Sequence, residues 1–399
     1  MSQRRLAAGV VLVAGASFVV LAAILVPWSP VPGGTPAAVP ADQVFTQAVI
    51  ERGEQVSGSL RGWGWTSLAL NLLVVGVLGL SARVRERVSR LPGRWWVQVL
   101  GAVALVELVS RLVTLGPAIA QRRVALDAGL SDKPWSGFAR DLVVGELVDT
   151  VVTGFVVVLV VGCARRWRTA WPAVAGGAAA VLVVLGSFAY PVVVEPLFNS
   201  FTPLPDGSLR TGVLELAAEE GVPVDDVLVA DASRRTTTLN AYVSGFAGTR
   251  RVVLYDNLVD DVPQDEVLSV VAHELAHARH DDVLVGTALG ATGAAAAVGL
   301  LGLLLGRRPL GDPATVPLVL ALYVAGSLLA QPVQNGISRR IETRADVDAL
   351  AFTQDPDAFV ALQRRLAERS MADPTPPAWS QWWFGSHPTV LVRVALARS

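Results

Sequence analysis

The 399-residue sequence is short of three reactive residue types: it has one cysteine, four histidines and a single lysine, Lys133. Because Cys163 has no second cysteine to pair with, the chain forms no internal disulfide. A structural zinc site, which usually takes four cysteine or histidine ligands, is disfavoured for the same reason. A carboxylate is therefore expected among the ligands of any zinc site in this chain.

Charged residues are also scarce. They make up 17% of the chain, against roughly 25% in a soluble domain, while 52% of residues are hydrophobic and mean hydropathy is +0.49. The net charge of −1 and the lack of an arginine run interleaved with aromatic residues give no reason to expect nucleic acid as a partner. This composition is typical of a protein that lies largely in lipid. Membrane lipids are the expected partners.

Seven apolar segments approach the roughly 20 residues that a membrane-spanning helix needs. They lie at about 6–26, 66–81, 96–116, 142–163, 171–193, 283–306 and 315–335. The first has the alternative of a secretory signal ending at Val39-Pro40-Ala41, but its length favours a retained anchor. The pattern predicts a mainly α-helical, multi-pass integral membrane protein, in the cell membrane if the arginine-rich, lysine-poor composition marks a bacterial source.

Two of the four histidines lie in residues 271–277, Val-Ala-His-Glu-Leu-Ala-His, which contain the His-Glu-x-x-His pattern of zinc peptidases. Residues four apart share one face of a helix, so His273 and His277 can present two ring nitrogens to one ion. Glu274 lies beside them, within reach of a zinc-bound water. Five-residue patterns also arise by chance, so a metal site here needs support from a third ligand.

A second helix is predicted at residues 338–346, where Glu342 and Asp346 share a face at i and i+4. Glu342 can serve as the third ligand. Asp346 can accept a hydrogen bond from a ligand histidine and so fix its tautomer. The alternative is a solvent-exposed helical face on which these carboxylates pair with Arg340 or Arg344.

The order of these motifs resembles the type I CAAX prenyl endopeptidases, integral-membrane zinc metallopeptidases that have the bacterial HtpX proteases as smaller relatives. Besides the two helices, the resemblance rests on Glu195-Pro196-Leu197-Phe198-Asn199, Phe201-Thr202-Pro203-Leu204, Asn240-Ala241-Tyr242 with Gly245-Phe246, Arg251-Val252-Val253-Leu254-Tyr255-Asp256 and Ser386-His387-Pro388. It is close over residues 195–395. The N-terminal half is similar mainly in its hydrophobic layout.

The resemblance implies a catalytic site with one Zn2+ per chain. The zinc ligands would be His273, His277 and Glu342, with Glu274 as general base and Asp346 as support in the outer shell. The peptidase domain is expected to be of the gluzincin type. The resemblance further implies that the membrane helices enclose a large intramembrane chamber with the zinc near one end.

The resemblance also assigns residues to the substrate. It implies that His387 helps to stabilise the oxyanion, although His387 before Pro388 would in isolation be an ordinary loop histidine. Asn240, Ala241 and Tyr242 would line the substrate cleft. His280, which is followed by two aspartates, is interpreted as a surface residue rather than a ligand.

These observations predict a membrane-embedded zinc metalloendopeptidase that hydrolyses peptide bonds of membrane-associated or lipidated peptides or proteins, with Glu274 as general base on zinc-bound water. CAAX-box protein processing is the activity of the eukaryotic members; a bacterial chain would instead favour misfolded or signal-derived membrane peptides. The alternative is a seven-span transporter or receptor-like protein with a non-catalytic zinc site.

The segment order predicts two domains. Residues 1–194 would hold about five transmembrane helices, with a linker at 27–65. Residues 195–399 would form the zinc metallopeptidase domain, interrupted by a transmembrane hairpin at about 283–335 and containing strands at 227–229 and 252–255. Because that hairpin returns the chain to the same membrane face, the two parts of the metal site can meet there.

Two further expectations concern the membrane. Four charges lie inside predicted spans, and Glu107 is expected to pair with Arg111 at i+4, while Glu146 and Asp149 face a cavity or one another. Arginine-rich short loops predict, by the positive-inside rule, that the zinc site faces away from the cytoplasm. The family resemblance implies the cytosolic side, which we favour slightly because one miscounted span would reverse the arginine argument.

Overall fold

A computed structural model describes residues 2–189, 200–234, 239–245, 250–306 and 308–399. Helices dominate these residues, and their bounds are α1 (Gln3–Leu25), α2 (Gln47–Leu80), α3 (Ala82–Ser89), α4 (Trp95–Asp127), α5 (Trp135–Arg166), α6 (Trp171–Ala189), α7 (Ser208–Glu219), α8 (Asp256–Asp261), α9 (Gln264–Arg279), α10 (Asp282–Leu304), α11 (Val316–Thr353), α12 (Pro356–Arg369), α13 (Ala378–Phe384) and α14 (Val390–Ala397). The strands are β1 (Phe201–Pro203), β2 (Asp226–Ala230), β3 (Ala241–Ser244) and β4 (Arg251–Tyr255).

Seven of the described helices are long and apolar enough to cross a membrane: α1, α2, α4, α5, α6, α10 and α11. Each overlaps one of the seven predicted segments, although the end of the fifth, at 190–193, lies outside the described residues. Large apolar side chains are exposed along these helices, as expected where lipid rather than water surrounds the protein. The prediction of a mainly helical, polytopic membrane protein with a small sheet is confirmed.

Two of the spanning helices are longer than the sequence patterns indicate. α2 joins the predicted second span to the polar segment before it, and α11 continues without a break from the seventh span through residues 338–346. Pro332 lies inside α11 and does not end it. Glu342 and Asp346 therefore lie on the same helix as the seventh span.

The charges inside the spans pair between helices. The Arg111 Nε of α4 donates to Glu146 Oε2 of α5 at 2.7 Å, and its Nη2 lies 3.8 Å from Asp149 Oδ2. The expected pairing of Arg111 with Glu107 is thus replaced by a bond to the neighbouring helix. An interhelical pair spares both charges contact with lipid and ties two spans together.

The sheet has the strand order β1-β2-β4-β3, in which β2 and β4 run parallel and the two outer strands run antiparallel to their neighbours. The predicted strands at 227–229 and 252–255 are confirmed as parts of β2 and β4. Residues 201–203 form a further strand, β1, which the sequence analysis does not predict. Pro203 obscures this strand in the sequence, but proline is tolerated on an edge strand, where its missing N–H leaves no ladder bond unmade.

The chain divides into two compact units. The membrane unit comprises Met1–Leu21, Ser59–Val184 and Ala288–Ala330. The site unit comprises Ala22–Gly58, Leu185–Thr287 and Gln331–Ser399, and its core joins the sheet to α7, α9 and α12. The boundary predicted at residue 194 stays a prediction.

The span count allows a prediction of membrane orientation. The described residues contain seven candidate spans, so the miscounted span that would support the cytosolic side is not found among them. With these spans, the arginine-rich ends 83–94 and 165–168 lie on the membrane face opposite Glu342, and the positive-inside rule places Glu342 outside the cytoplasm. In a Cys163→Ala background, an impermeant maleimide added to intact cells should label Ser370→Cys, whereas Ser89→Cys should react only after permeabilisation. The reverse pattern would support the cytosolic side that the family resemblance implies.

Candidate metal centre and active site

Burial of one face sets the rotation of α9. Val267, Val271 and Leu275 on this helix are fully buried against the core of the site unit, and burying such a side chain contributes roughly 1.5–3 kcal/mol. With that face fixed, His273 and His277 lie one turn apart with their ring centroids 4.8 Å from each other. The predicted helix and its shared histidine face are therefore present.

Three side chains from α9 and α11 converge on one point. His273 Nε2 lies 3.2 Å from His277 Nε2 and 3.2 Å from Glu342 Oε2, and His277 Nε2 lies 3.8 Å from Glu342 Oε1. Ligands at about 2.0–2.1 Å from a tetrahedral zinc ion are separated from one another by about 3.3 Å. The described residues thus bring together the three predicted ligands, with two of the separations close to this value and the third, between His277 and Glu342, longer at 3.8 Å.

Glu342 Oε2 is buried and has no hydrogen-bond partner among the described residues. A buried carboxylate oxygen left in this state is costly, and a cation satisfies it. Two imidazoles and one carboxylate are also the donor set of many catalytic zinc sites, which keep a fourth position open for water. The residues present therefore fit a zinc ion.

Asp346 supports the first histidine. Its Oδ1 lies 3.0 Å from His273 Nδ1, on the side of the ring away from Glu342, and its side chain is almost fully buried. Arg393 of α14 donates to both oxygens of Asp346, with Nε at 2.8 Å from Oδ2. A bidentate guanidinium keeps Asp346 ionised and oriented, so that Asp346 can fix the His273 ring.

Asp282 supports the second histidine in the same way. The first residue of α10, it places Oδ2 2.9 Å from His277 Nδ1, and Arg344 of α11 donates to its other oxygen. The sequence analysis does not predict this contact, because it uses Asp281 and Asp282 only as evidence that His280 lies at the surface. The sequence signal for this contact is an aspartate about one turn after the His-Glu-x-x-His motif. The contact also requires the sharp junction between α9 and α10, where Asp281 has φ 53° and the chain turns Asp282 back towards His277.

The electrostatic environment favours a cation at the site. Burial lowers the pKa of the His273 imidazole, but the interactions with Asp346 and Glu342 raise it more, to about 10. The carboxylates that stabilise an extra proton on this ring would equally stabilise a divalent ion. Burial also raises the pKa of the Glu274 carboxyl above its ordinary value, against the opposing effect of His273 and His277. Its raised pKa makes Glu274 a stronger base than an exposed glutamate.

His387 lies beside the metal ligands. Its Nε2 is 3.4 Å from Glu342 Oε1, and its Nδ1 is 2.9 Å from Ser386 Oγ. If the Ser386 hydroxyl donates to Nδ1, the proton of the neutral ring is on Nε2, the nitrogen that faces the metal cluster. The imidazole remains largely exposed, so a substrate can reach it.

The predicted cleft residues lie on and before β3. Asn240 is exposed, and its carbonyl accepts a hydrogen bond from the Tyr255 backbone N–H at 3.0 Å. Ala241 and Tyr242 begin β3, an outer strand of the described sheet that packs against α9. The motif residues 195–199 and Phe246 lie outside the described residues. Asn240 itself makes no contact with the metal cluster that would assign it a role.

His280 is not part of the cluster. It ends α9, is half-buried, and places Nε2 2.7 Å from Asp348 Oδ2. The surface interpretation therefore needs adjustment, because His280 makes an ion-pair contact with α11 instead of facing solvent freely.

A first prediction distinguishes the proposed zinc ligand Glu342 from Asp346 and Asp282, which contact the ligand histidines. Glu342→Ala should strip most of the zinc, whereas Asp346→Asn and Asp282→Asn should each weaken zinc affinity about 10–100-fold, since each removes only the carboxylate charge that contacts a ligand histidine. Zinc content measured after dialysis against graded chelator would rank the variants. Asp348→Asn, which changes a carboxylate on the same helix, is the control and should retain zinc. Wild-type zinc affinity in Glu342→Ala would remove it from the ligand set.

The sequence is similar to that of known metalloproteases. Residues 203–399 match the model of Peptidase family M48. The uncharacterized metalloprotease YhfN of Bacillus subtilis is 27% identical over 332 residues, which cover 80% of this chain and 78% of that protein. The CAAX prenyl protease 1 homolog of Oryza sativa is 32% identical over 217 residues, covering 52% of this chain and 51% of the relative.

The fold likeness extends over the whole chain. The crystal structure of S. mikatae Ste24p superposes with a TM-score of 0.76 and covers 100% of both chains at 19% identity, which shows a common fold. The matched region spans about half the length of the rice relative. Together, the match to Peptidase family M48, the metalloprotease and CAAX protease relatives and the shared fold support the CAAX prenyl endopeptidase family of integral-membrane metallopeptidases.

Proposed function

We propose that the protein is an endopeptidase that uses one zinc ion per chain to hydrolyse peptide bonds of membrane-associated or lipidated peptides. The observation that carries this proposal is the convergence of His273, His277 and Glu342 at 3.2–3.8 Å, with the half-buried Glu274 next to the first ligand. The metal in this family is generally zinc. A zinc ion, together with a general base on the helix that bears its ligands, is typical of metal-dependent hydrolases.

The ion, when bound, would polarise the scissile carbonyl and lower the pKa of water. Glu274 then takes the proton from the attacking water and delivers it to the leaving amine. Asp346 and Asp282 hold the two imidazole rings in place throughout. His387 donates its Nε2–H to the oxygen that becomes negatively charged as the carbonyl carbon turns tetrahedral.

The edge of β3 supports a role in peptide binding. β3 pairs with β4 on one side only within the described sheet, and it packs against the helix that bears both histidines. An extended peptide can add to such an edge through main-chain hydrogen bonds, which fix its register without selecting particular side chains. The scissile bond would then lie in the extended peptide, beside β3.

The substrate class follows from the membrane setting and from the relatives. The rice and yeast relatives are named CAAX prenyl proteases, which supports a lipidated peptide, whereas the bacterial relative carries no substrate in its name. Active-site helices that continue from membrane spans favour substrates already held at the bilayer. For a bacterial chain, misfolded or signal-derived membrane peptides fit this description better than CAAX proteins.

A seven-span transporter or receptor-like protein with a non-catalytic zinc site is not favoured. The described cluster offers three protein ligands, which is the number in catalytic sites, whereas structural sites fill all four positions. A non-catalytic site also gives no role to the half-buried Glu274 carboxyl beside His273.

The proposal predicts that a substitution of Glu274 stops peptide hydrolysis without loss of zinc. Glu274→Gln should abolish cleavage of a peptide reporter in detergent or vesicles while retaining about one zinc per chain, because the three ligands remain. Asp265→Asn, an exposed acid on the same helix, should behave as wild type. Undiminished cleavage by Glu274→Gln would exclude it as the general base, and a wild-type protein with zinc but no peptidase activity on any membrane peptide would contradict the proposed function.

A further prediction concerns His387. Because its interaction with the oxyanion exists mainly in the transition state, His387→Ala should lower kcat by about 100–1000-fold with little change in KM. Zinc content should not change, since His387 is outside the ligand set. His280→Ala is the matched control and should retain kcat. Loss of zinc in parallel with activity would instead make His387 a metal-site residue.

A further inference from the structure

α13 presents an aromatic surface that the catalytic proposal does not use. Trp379 and Trp382, three residues apart on this helix, are 54% and 56% exposed, whereas Ser380 between them is buried. Trp382 packs edge-on against Trp383 with ring centroids 5.6 Å apart, and Trp379 packs against Phe384 at 6.3 Å. We call these four rings the aromatic surface. Trp383 and Phe384 are half-buried, so Trp379 and Trp382 form the exposed part of this surface. Large apolar side chains exposed together on one side of a short helix indicate an interaction surface.

Hydrogen bonds fix α13 to α11 at one level. Asn335 Nδ2 donates to the Trp383 carbonyl at 2.6 Å, and Arg339 donates to the carbonyls of Gln381, at 3.2 Å, and Gly385. The positive guanidinium also satisfies carbonyls at the C-terminal, negative end of α13. Two anchoring residues one turn apart on α11 therefore determine where the aromatic surface lies along that helix.

The depth of Asn335 and Arg339 in the bilayer follows from helix geometry. Twenty residues from Val316 at 1.5 Å each span about 30 Å, the thickness of the hydrocarbon core, and they end at Asn335. Leu329 and Val333, just before that point, are exposed apolar side chains. Arg339 lies about 6 Å further along, within the headgroup layer, which is roughly 5–8 Å thick on each side.

We propose that the aromatic surface is a membrane-interface anchor, inserted into the headgroup layer of the bilayer on the same side as the metal centre. Tryptophan is enriched at this depth because its ring is apolar while its indole N–H remains hydrogen-bonded. The level of Asn335 and Arg339, the exposure of Trp379 and Trp382 and the tryptophan content of α13 all point to the same layer. This inference does not depend on the proposed peptidase activity.

The anchor is linked to the active site through its own C-terminus. Gln381 Nε2 donates to the His387 carbonyl at 2.7 Å, and His387 Nε2 lies 3.4 Å from Glu342 Oε1. A helix held in the headgroup layer thus also holds the segment that bears His387. The cleft would be kept at the lipid surface, where a membrane-bound peptide can reach it without leaving the bilayer.

Site-directed spin labelling of the full-length protein tests the depth directly. In a Cys163→Ala background, nitroxides at Trp379→Cys and Trp382→Cys would be measured in vesicles of phosphatidylcholine and phosphatidylglycerol by collision with oxygen and with a nickel chelate. Two reference positions bracket them: Leu329→Cys on the membrane part of α11, and Arg364→Cys on α12, whose side chain is 56% exposed like that of Trp382. Retained zinc content would show that each variant folds.

The expected oxygen-to-nickel accessibility ratio at both tryptophan positions lies between the ratios at Leu329 and Arg364, and nickel accessibility is several-fold lower than at Arg364. Values equal to those at Arg364 would place α13 in water and overturn the proposal. Values equal to those at Leu329 would place α13 in hydrocarbon, which contradicts the headgroup depth. Protection from both reagents would show that a protein surface covers the rings instead, such as a second copy of the chain.

Discussion

The structure depends on the requirement that backbone hydrogen bonds be made inside lipid, which forces each span to be a continuous helix. α10 and α11 meet this requirement, and each also carries a residue of the site. Asp282 is the first residue of α10, before its span, and Glu342 lies on α11 after its span. The carboxylate ligand Glu342, and Asp282, which contacts the ligand His277, are therefore carried by spanning helices rather than by loops. A site built in this way keeps its geometry without the disulfides that the single cysteine rules out.

Electrostatic compensation allows so many charges to gather near lipid. Each ligand histidine contacts an aspartate, and each aspartate is bonded by an arginine from another helix: His273 with Asp346 and Arg393, His277 with Asp282 and Arg344. Burying any one of these carboxylates alone would cost several kcal/mol, so the arginines are needed for the site to fold. These two sets of histidine, aspartate and arginine contacts also join α9, α10, α11 and α14. The metal centre is therefore part of the tertiary structure of the site unit.

The sequence was informative wherever a local pattern carries the chemistry. Helical spacing predicts the shared face of His273 and His277 and of Glu342 and Asp346, and apolar run length predicts all seven spans. The rest depends on contacts between distant residues. No spacing rule brings Arg393 to Asp346, pairs Arg111 with Glu146 instead of Glu107, or shows that Asp282 turns back at the α9–α10 junction. The aromatic surface was missed for a related reason, since its significance comes from the bonds to Asn335 and Arg339, which fix its level.

The central claim is that His273, His277 and Glu342 hold a catalytic zinc ion, and crystallographic diffraction from the zinc-loaded protein on both sides of the zinc absorption edge tests it most directly. The account predicts one anomalous difference peak per chain, about 2.0–2.2 Å from the Nε2 atoms of both histidines and from a Glu342 oxygen, with one coordination position not filled by protein. No peak at this point in zinc-loaded protein, or a peak held by four protein side chains, would contradict it.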